Sequence, residues 1–372
     1  MADMGLVHDK QAIIEPQGLF TNRNAARDLC EHFIPKGGKF YDLIDRYWMV
    51  TTYVLNRDNH GKGSDTVRMI APFLKAFGAT DYDTVKFFRE NMTLAKGAGE
   101  AARYMMNLMP VFMNTNMYRH GAEVLCDKMG IAGNFLNASS LDLSDDACGM
   151  SRQECRELRE MAETVTSLRM PKDEYELDVP LELSSAETDM IVRLDDIFTN
   201  RLSGTAAGDM ISGTASVGAN EKAYTLLDLR KTTQVDLDGT MYIGSSVMDY
   251  QVLDLVKDGN GLAMSFNGDE FSVHGANVAV IADDCIAAAI LSAQFYNSGI
   301  QGVFDLIDRW SPDYLWNCPF PDRNLLNSMM KRSGRKFPEV YRIDRDNVGE
   351  VAARSNAYRK KWVSGKIRTE QA

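Results

Sequence analysis

MYIGSSVMDYQVLDLVKDGNGLAMSFNGDEFSVHGANVAVIA, Met241 to Ala282, decides the fold. It alternates short apolar runs, MYIGSS, LAMSF and ANVAVIA, with a helical run, DYQVLDLVKD, so it predicts an α/β protein built on a parallel sheet with helices on both faces. In such sheets ligands bind beyond the carboxyl ends of the strands. The same grammar extends upstream. QAIIEPQG, Gln11 to Gly18, reads as a strand ending at Pro16 and Gly18, and VFM after Pro110 as a buried strand breaking at Asn114-Thr115-Asn116. RHGAEVLCDKMGI reads as a helix closed by Gly130. ANEKAYTLLDLRK begins a helix with Lys222 in its first turn. Three strand ends, Glu15 to Gly18, Asn114 to Asn116 and Gly244 to Asp249, therefore converge with Lys222 on one edge.

Between these segments the pattern is helical. The chain divides into a first core strand with its loop (1–23), a helical cap (24–95), core (96–136), a second helical cap or insertion (137–212), core (213–300) and a C-terminal helical extension (301–372). The small-residue run SGTAAGDMISGTASVGAN, Ser203 to Asn220, reads as a linker. It lacks the Gly-Lys-Ser/Thr ending of a phosphate-binding P-loop. DLDGT, Asp236 to Thr240, has the look of a phosphatase nucleophile motif, but it follows the polar KTTQV and precedes MYIGSS. It is expected to be a turn at the wrong, amino end of a strand.

Composition narrows the function. The chain has 372 residues, 45% hydrophobic and 25% charged, and a net charge of −11, so it offers no basic field for nucleic acid. The basic RKKWVSGKIR near the end reads as a solvated helix face. No apolar run reaches the roughly 18 residues that span a bilayer, and MADMGLVHDKQ lacks the features of a signal peptide. Cys30, Cys126, Cys148, Cys155, Cys285 and Cys318 show no zinc-ligand spacing, which fits reduced thiols in a cytoplasm. The 21 Met residues, clustered in MMNLMPVFMNTNM, can serve a protein partner surface or homo-oligomer contact, or simply fill a core.

The ordered set of strand-end acid, strand-end Ser/Thr, helical Lys and strand-end Gly-x-x-x-x-Asp resembles the haloacid-dehalogenase-like superfamily. It is most similar to the archaeal phosphatase-like group associated with subunit R of energy-converting hydrogenase A. GSDTVRMIAPFLKAFGATDYDTVKFFRENM, MPVFMNTNMY, GANEKAYTLL, MYIGSSVMDYQVLDL and GLAMSFNGDEFSVHGANVAVIA carry the likeness, and the ending FPEVYRIDRDNVGEVAARS adds to it. The resemblance implies a Rossmann-like core under helical caps and phosphoryl transfer through an Asp nucleophile, an acid/base two residues on, a Ser/Thr and a Lys on the phosphate, and Mg²⁺. Residue by residue, the nucleophile falls on Glu15 and the acid/base on Gln17, with Thr115, or its neighbour Asn114, and Lys222 as the oxyanion-holding pair. Gly18, Asn114, Asn116, Ser245, Ser246 and Asp249 would contact the ligand. Glu15 and Asp249 would be the remaining metal ligands.

Three of these positions depart from the pattern. A Glu carboxylate stands one methylene farther out than Asp, and about 1 Å of misplacement can cost about a hundredfold in rate. Gln17 cannot exchange a proton. Ser245 replaces a carboxylate, which weakens Mg²⁺ binding. The expectation is a protein that binds a small anionic or phosphorylated ligand with little or no Mg²⁺-dependent turnover, in which Lys222 pairs with Glu15. The alternative is an active hydrolase, phosphatase or metal-independent dehalogenase, working through Glu15.

Overall fold

Gln11–Ile14 (β1) is buried along its whole length, and so are Thr240–Gly244 (β4), Leu262–Phe266 (β5) and Val278–Ile281 (β6). Such all-buried runs belong inside a parallel sheet covered on both faces. Val111–Tyr118 (β2), Leu136–Ser139 (β3) and Glu339–Arg342 (β7) complete a seven-stranded sheet of order β3-β2-β1-β4-β5-β6-β7. β1 pairs in parallel with β2 and β4, and only β7 runs antiparallel, against β6. The computed structural model describes residues 8–55, 57, 66–144, 149–172, 183–318, 322–333 and 336–363. The amino-terminal MADMGLV, Cys148 and the end of the basic stretch after Val363 lie outside them.

The helices in chain order are α1 (Ala25–Phe33), α2 (Gly37–Met49), α3 (Thr66–Ala76), α4 (Asp81–Asn91), α5 (Ala98–Leu108) and α6 (Arg119–Met129). Then come α7 (Arg152–Ser167), α8 (Ser185–Asp195), α9 (Ala206–Gly213), α10 (Ala219–Thr233) and α11 (Tyr250–Asp258). The last are α12 (Glu270–Gly275), α13 (Ile286–Ile307), α14 (Pro312–Asn317), α15 (Arg323–Ser333) and α16 (Val348–Val363). Strand alternation sorts them by face. Ile13, Phe112, Tyr242 and Ala263 pack on Leu226 of α10 and on Val252, Leu253 and Val256 of α11. Ala12, Ile14, Met241 and Ile243 face the larger core, which takes in α5, α6 and α13. The fold is thus the expected Rossmann-like α/β sheet with helices on both faces. No helix of the described residues is long and apolar enough to cross a membrane.

Several local expectations need correction. β2 does not break at Asn114-Thr115-Asn116 but runs on to Tyr118. Polar residues survive there because neighbours satisfy them: Asn114 Nδ2 donates to the Lys222 carbonyl at 3.1 Å and Thr115 Oγ1 to Glu15 at 2.8 Å. The run 203–220 is no plain linker. Thr205 Oγ1 accepts from the Gly208 amide and caps α9. The segment 137–212 is not wholly helical, since residues 136–139 form the edge strand β3. The C-terminal extension likewise contributes β7, a short charged strand suited to a sheet edge.

The two expected caps merge into one helical layer. Arg46 of α2 grips the fully buried Glu187 of α8 with two bonds of 2.9 and 3.1 Å, and the Tyr47 hydroxyl donates to Asp195 at 2.7 Å. Lys39 donates to the Thr166 carbonyl at the end of α7. This layer places α1 and α2 above the carboxyl ends of β1 and β4, the point where strand order reverses.

Candidate functional site

The site starts with two glycines. Gly18 follows β1 with φ of +98°, which disfavours any side chain, and a Cβ there would overlap Ser245. Gly244 ends β4, where a Cβ would overlap Asp249. The loops after β1 and β4 can therefore touch, and the Ser245 hydroxyl donates to the Gln17 carbonyl at 2.7 Å. From the far end of the chain, Trp362 of α16 braces the first loop. Its indole N–H donates to the Gly18 carbonyl at 3.2 Å, and its own carbonyl accepts from Asn22.

Beneath these loops lies a buried charge cluster. The Lys222 ammonium, fully buried, sits 2.7 Å from Glu15 Oε2 and 2.7 Å from Asp249 Oδ1. The other Glu15 oxygen accepts from Thr115 Oγ1 at 2.8 Å and from the Gln17 amide at 3.0 Å. Asp249 Oδ1 also accepts from the Tyr242 hydroxyl at 2.9 Å, while Oδ2 accepts from the amides of Ser245 and Ser246. The pairing expected between Lys222 and Glu15 is present, and Asp249 shares it.

One cation faces two carboxylates here, and that sets the titration. Burial by itself lowers the Lys222 pKa, but Asp249 and Glu15 outweigh it and hold the ammonium at about 12. Burial raises the Asp249 carboxyl, yet Lys222 and the Ser245 amide prevail and keep it below the usual range. Burial pushes Glu15 up, Lys222 opposes, and the Asp249 charge adds to the rise. Burial, then the two carboxylates, drives the Tyr242 hydroxyl well above its ordinary value.

Above the cluster opens a cavity of about 730 Å³ between the loops and α1 and α2. Glu15, Gln17, Gly18, Asn116, Ser245 and Ser246 line it. Thr115, Lys222 and Asp249 lie under its floor, and Asn114 turns away toward Lys222 and Asn137. So Asn114 is not the alternative to Thr115, and it contacts the helix of Lys222 rather than a ligand. Gln17 is held at both ends of its amide, donating to Asn116 Oδ1 and accepting from the Ala25 amide.

Charge in the cavity is uneven. Glu15, Asp28, Glu31, Asp42, Asp45 and Asp269 face Arg23, Arg27 and Arg359. Arg23 is held by Asp28 through bonds of 2.7 and 2.8 Å, and Arg27 by Asp42 through 2.7 and 3.0 Å. Arg359 donates to the Asn267 carbonyl at 3.4 Å and is attracted by Asp269 and Asp45 without a two-bond pair to either. Asp45 is raised by burial, a rise that Thr66 opposes, and burial also raises Asp269 against the pull of Arg359.

Sequence reasoning missed Tyr242, Asp269 and Arg359. Tyr242 sits mid-strand, where its hydroxyl leaves no spacing signal. Asp269 follows a strand, LAMSF, whose end deserved the weight given to the other three. The reading of RKKWV as a solvated face holds for the exposed Lys360 and Lys361 but not for Arg359, which lines the cavity, or Trp362, which is fully buried. DLDGT is confirmed as a turn at the amino end of β4, its Leu237–Gly239 forming a 3₁₀ turn.

No family model matches the chain, and no curated protein matches it. A solved structure of gene product AF1437 from Archaeoglobus fulgidus is similar in fold, with a TM-score of 0.77 and 18% identity, over 98% of this chain and 100% of that one. At that identity the likeness establishes the fold alone, a Rossmann-like α/β architecture shared over 98% of this chain.

Proposed function

We propose that this chain is a cytoplasmic ligand-binding protein on a haloacid-dehalogenase-like core, without Mg²⁺-dependent phosphatase turnover. One observation carries the reading: the loop amides that would cradle a phosphate are already spent on the protein's own carboxylates. The Gln17 amide serves Glu15, those of Ser245 and Ser246 serve Asp249, and that of Val247 serves Asp269. Lys222 is likewise committed to two carboxylates. An incoming phosphate would meet these carboxylates at close range without a free donor set, and like charges in a poorly solvated site repel strongly.

Both catalytic steps of a phosphatase lack their group. Glu15 has both oxygens engaged, Oε1 by Thr115 and Gln17 and Oε2 by Lys222, which blunts it as a nucleophile, and the Gln17 carboxamide carries no titratable proton. The hydrolase alternative requires Glu15 to leave Thr115, Gln17 and Lys222 together, which would give up one of the two carboxylates that hold the buried ammonium and leave it to Asp249 alone.

The ligand class follows from the lining. Arg359 is the arginine not held by a two-bond carboxylate pair, so it suits one anionic group of the small ligand. The surplus carboxylates suit hydrogen-bond donors or an ammonium on the same molecule. Among the described residues Cys30, Cys126, Cys155, Cys285 and Cys318 form no disulfide, which fits a reducing compartment. A thermal-shift panel of anionic, cationic and amphoteric small molecules tests the reading. Amphoteric compounds should raise Tm, and Arg359→Ala should abolish the rise. Stabilisation by purely cationic compounds alone, unchanged in Arg359→Ala, would rule the ligand class out.

A further inference from the structure

The phosphatase resemblance implies a divalent cation between Glu15 and Asp249, and the residues present do not fit one. Mg²⁺ demands about six oxygen ligands near 2.0–2.1 Å in an octahedral set. Each carboxylate oxygen at the site already accepts from an N–H or O–H donor: Glu15 Oε1 from Thr115 and Gln17, Glu15 Oε2 from Lys222, Asp249 Oδ1 from Lys222 and Tyr242, Asp249 Oδ2 from two amides. Asp249 is fully buried and does not line the cavity from which an ion would enter. Ser245, where a third carboxylate would help, turns its hydroxyl onto the Gln17 carbonyl. Among the described residues no group of three or more His, Cys, Asp or Glu can hold a metal.

We infer that the Lys222 ammonium takes the place of the divalent cation, tying the loop after β1 to the loop after β4 by bridging Glu15 and Asp249. The two carboxylates come from different loops, and the bridge is the one cationic contact that both share. A metal normally does this work from outside the chain and leaves when chelated. An ammonium on α10 does it permanently, so the site is assembled whatever the metal supply. The inference deepens the non-hydrolytic reading, on which it rests for the meaning of the site. The two fail separately: metal-independent ester turnover would sink that reading and leave this one standing.

Removing the amine should expose a latent cation site. In Lys222→Met the two carboxylates face each other without a counter-ion, and a divalent ion supplied in solution gains two anionic ligands. The probe is Mn²⁺ alone, followed by its electron paramagnetic resonance signal and by thermal shift on the full chain. Wild type should leave the Mn²⁺ signal and Tm unchanged. Lys222→Met should bind one equivalent and gain about 3 °C at a Mn²⁺ concentration about a hundredfold above Kd. Lys222→Gln, whose neutral carboxamide can still donate hydrogen bonds, provides a second variant with the same expected gain should the first not fold. One equivalent of Mn²⁺ bound by wild type and lost in Glu15→Gln would overturn the inference, as would a folded Lys222 variant that gains no Mn²⁺ binding.

Discussion

Replacing Lys222 with Met removes the single ammonium that compensates two buried carboxylates. Met keeps the apolar stem and leaves open only the place of the ammonium, so the loss is mainly electrostatic. Breaking a buried ion pair by deleting one partner costs about 3–5 kcal/mol, because the other charge stays buried without compensation. With an unfolding entropy of about 2.1 cal/mol/K per residue near 60 °C, a chain of this length has roughly 0.8 kcal/mol/K, so Tm should fall by about 4–6 °C near neutral pH. The pH dependence separates this cause from a packing defect. Without Lys222 the folded-state pKa values of both carboxylates rise from those in wild type, a shift that favours the folded state only while they are protonated. The variant should therefore lose stability as pH rises through those raised values and recover as pH falls toward the ordinary carboxylate range. Differential scanning calorimetry of wild type and variant, in metal-free buffer from neutral pH to about pH 4.5, gives the gap directly. A gap below about 1 °C at neutral pH, or one that does not narrow on acidification, would refute the assignment of Lys222 as sole counter-ion.

Three further outcomes are expected. Lys222 has a folded pKa of about 12 against an ordinary 10.5, so its share of stability, about 2 kcal/mol, is complete below pH 10.5 and is lost as pH rises through about 12; alkaline denaturation should be less steep over that window in Lys222→Met than in wild type. Gly18→Ala places a side chain at positive φ against Ser245 and should cost about 2–3 kcal/mol, read as a lower urea midpoint at unchanged slope. Trp362→Ala should cost about 3–5 kcal/mol, and hydrogen exchange should quicken at residues 18–22, the loop that Trp362 braces, more than in β5.

The fold was legible in sequence because its central strands are short, apolar and separated by amphipathic helices. QAII, MYIG, LAMSF and VAVI have no other stable use than a covered sheet. The ends of the sheet were not. LNAS in β3 and EVYR in β7 are four-residue edge strands with one face polar, and such runs do not differ from loops by pattern alone. Asn114-Thr115-Asn116 resembled a turn because its polarity is satisfied by residues far off in sequence, Lys222, Glu15 and Gln17. The small residues of 203–213 looked like a linker, yet a Thr cap suffices to start a helix there.

The site was legible in part. Glu15, Thr115, Lys222 and Asp249 come together as the order of motifs implied, because strand ends in a parallel sheet share one edge. Which of them face the cavity was not readable. Alternation along β2 buries Thr115 beneath Glu15 and sends Asn114 the other way, a matter of register rather than composition. Arg359 and Trp362 arrive from a helix more than a hundred residues beyond Asp249, the last of the expected site residues. Only the return of α16 to the first loop gives them their place.

The central claim is that this site binds without phosphoryl turnover, and phosphate release measures it most directly. Purified wild type and Glu15→Gln should be compared on a panel of phosphate monoesters, with saturating Mg²⁺ and with chelator. The account expects identical, background-level release in every arm. Mg²⁺-dependent release by wild type that disappears in Glu15→Gln would contradict it.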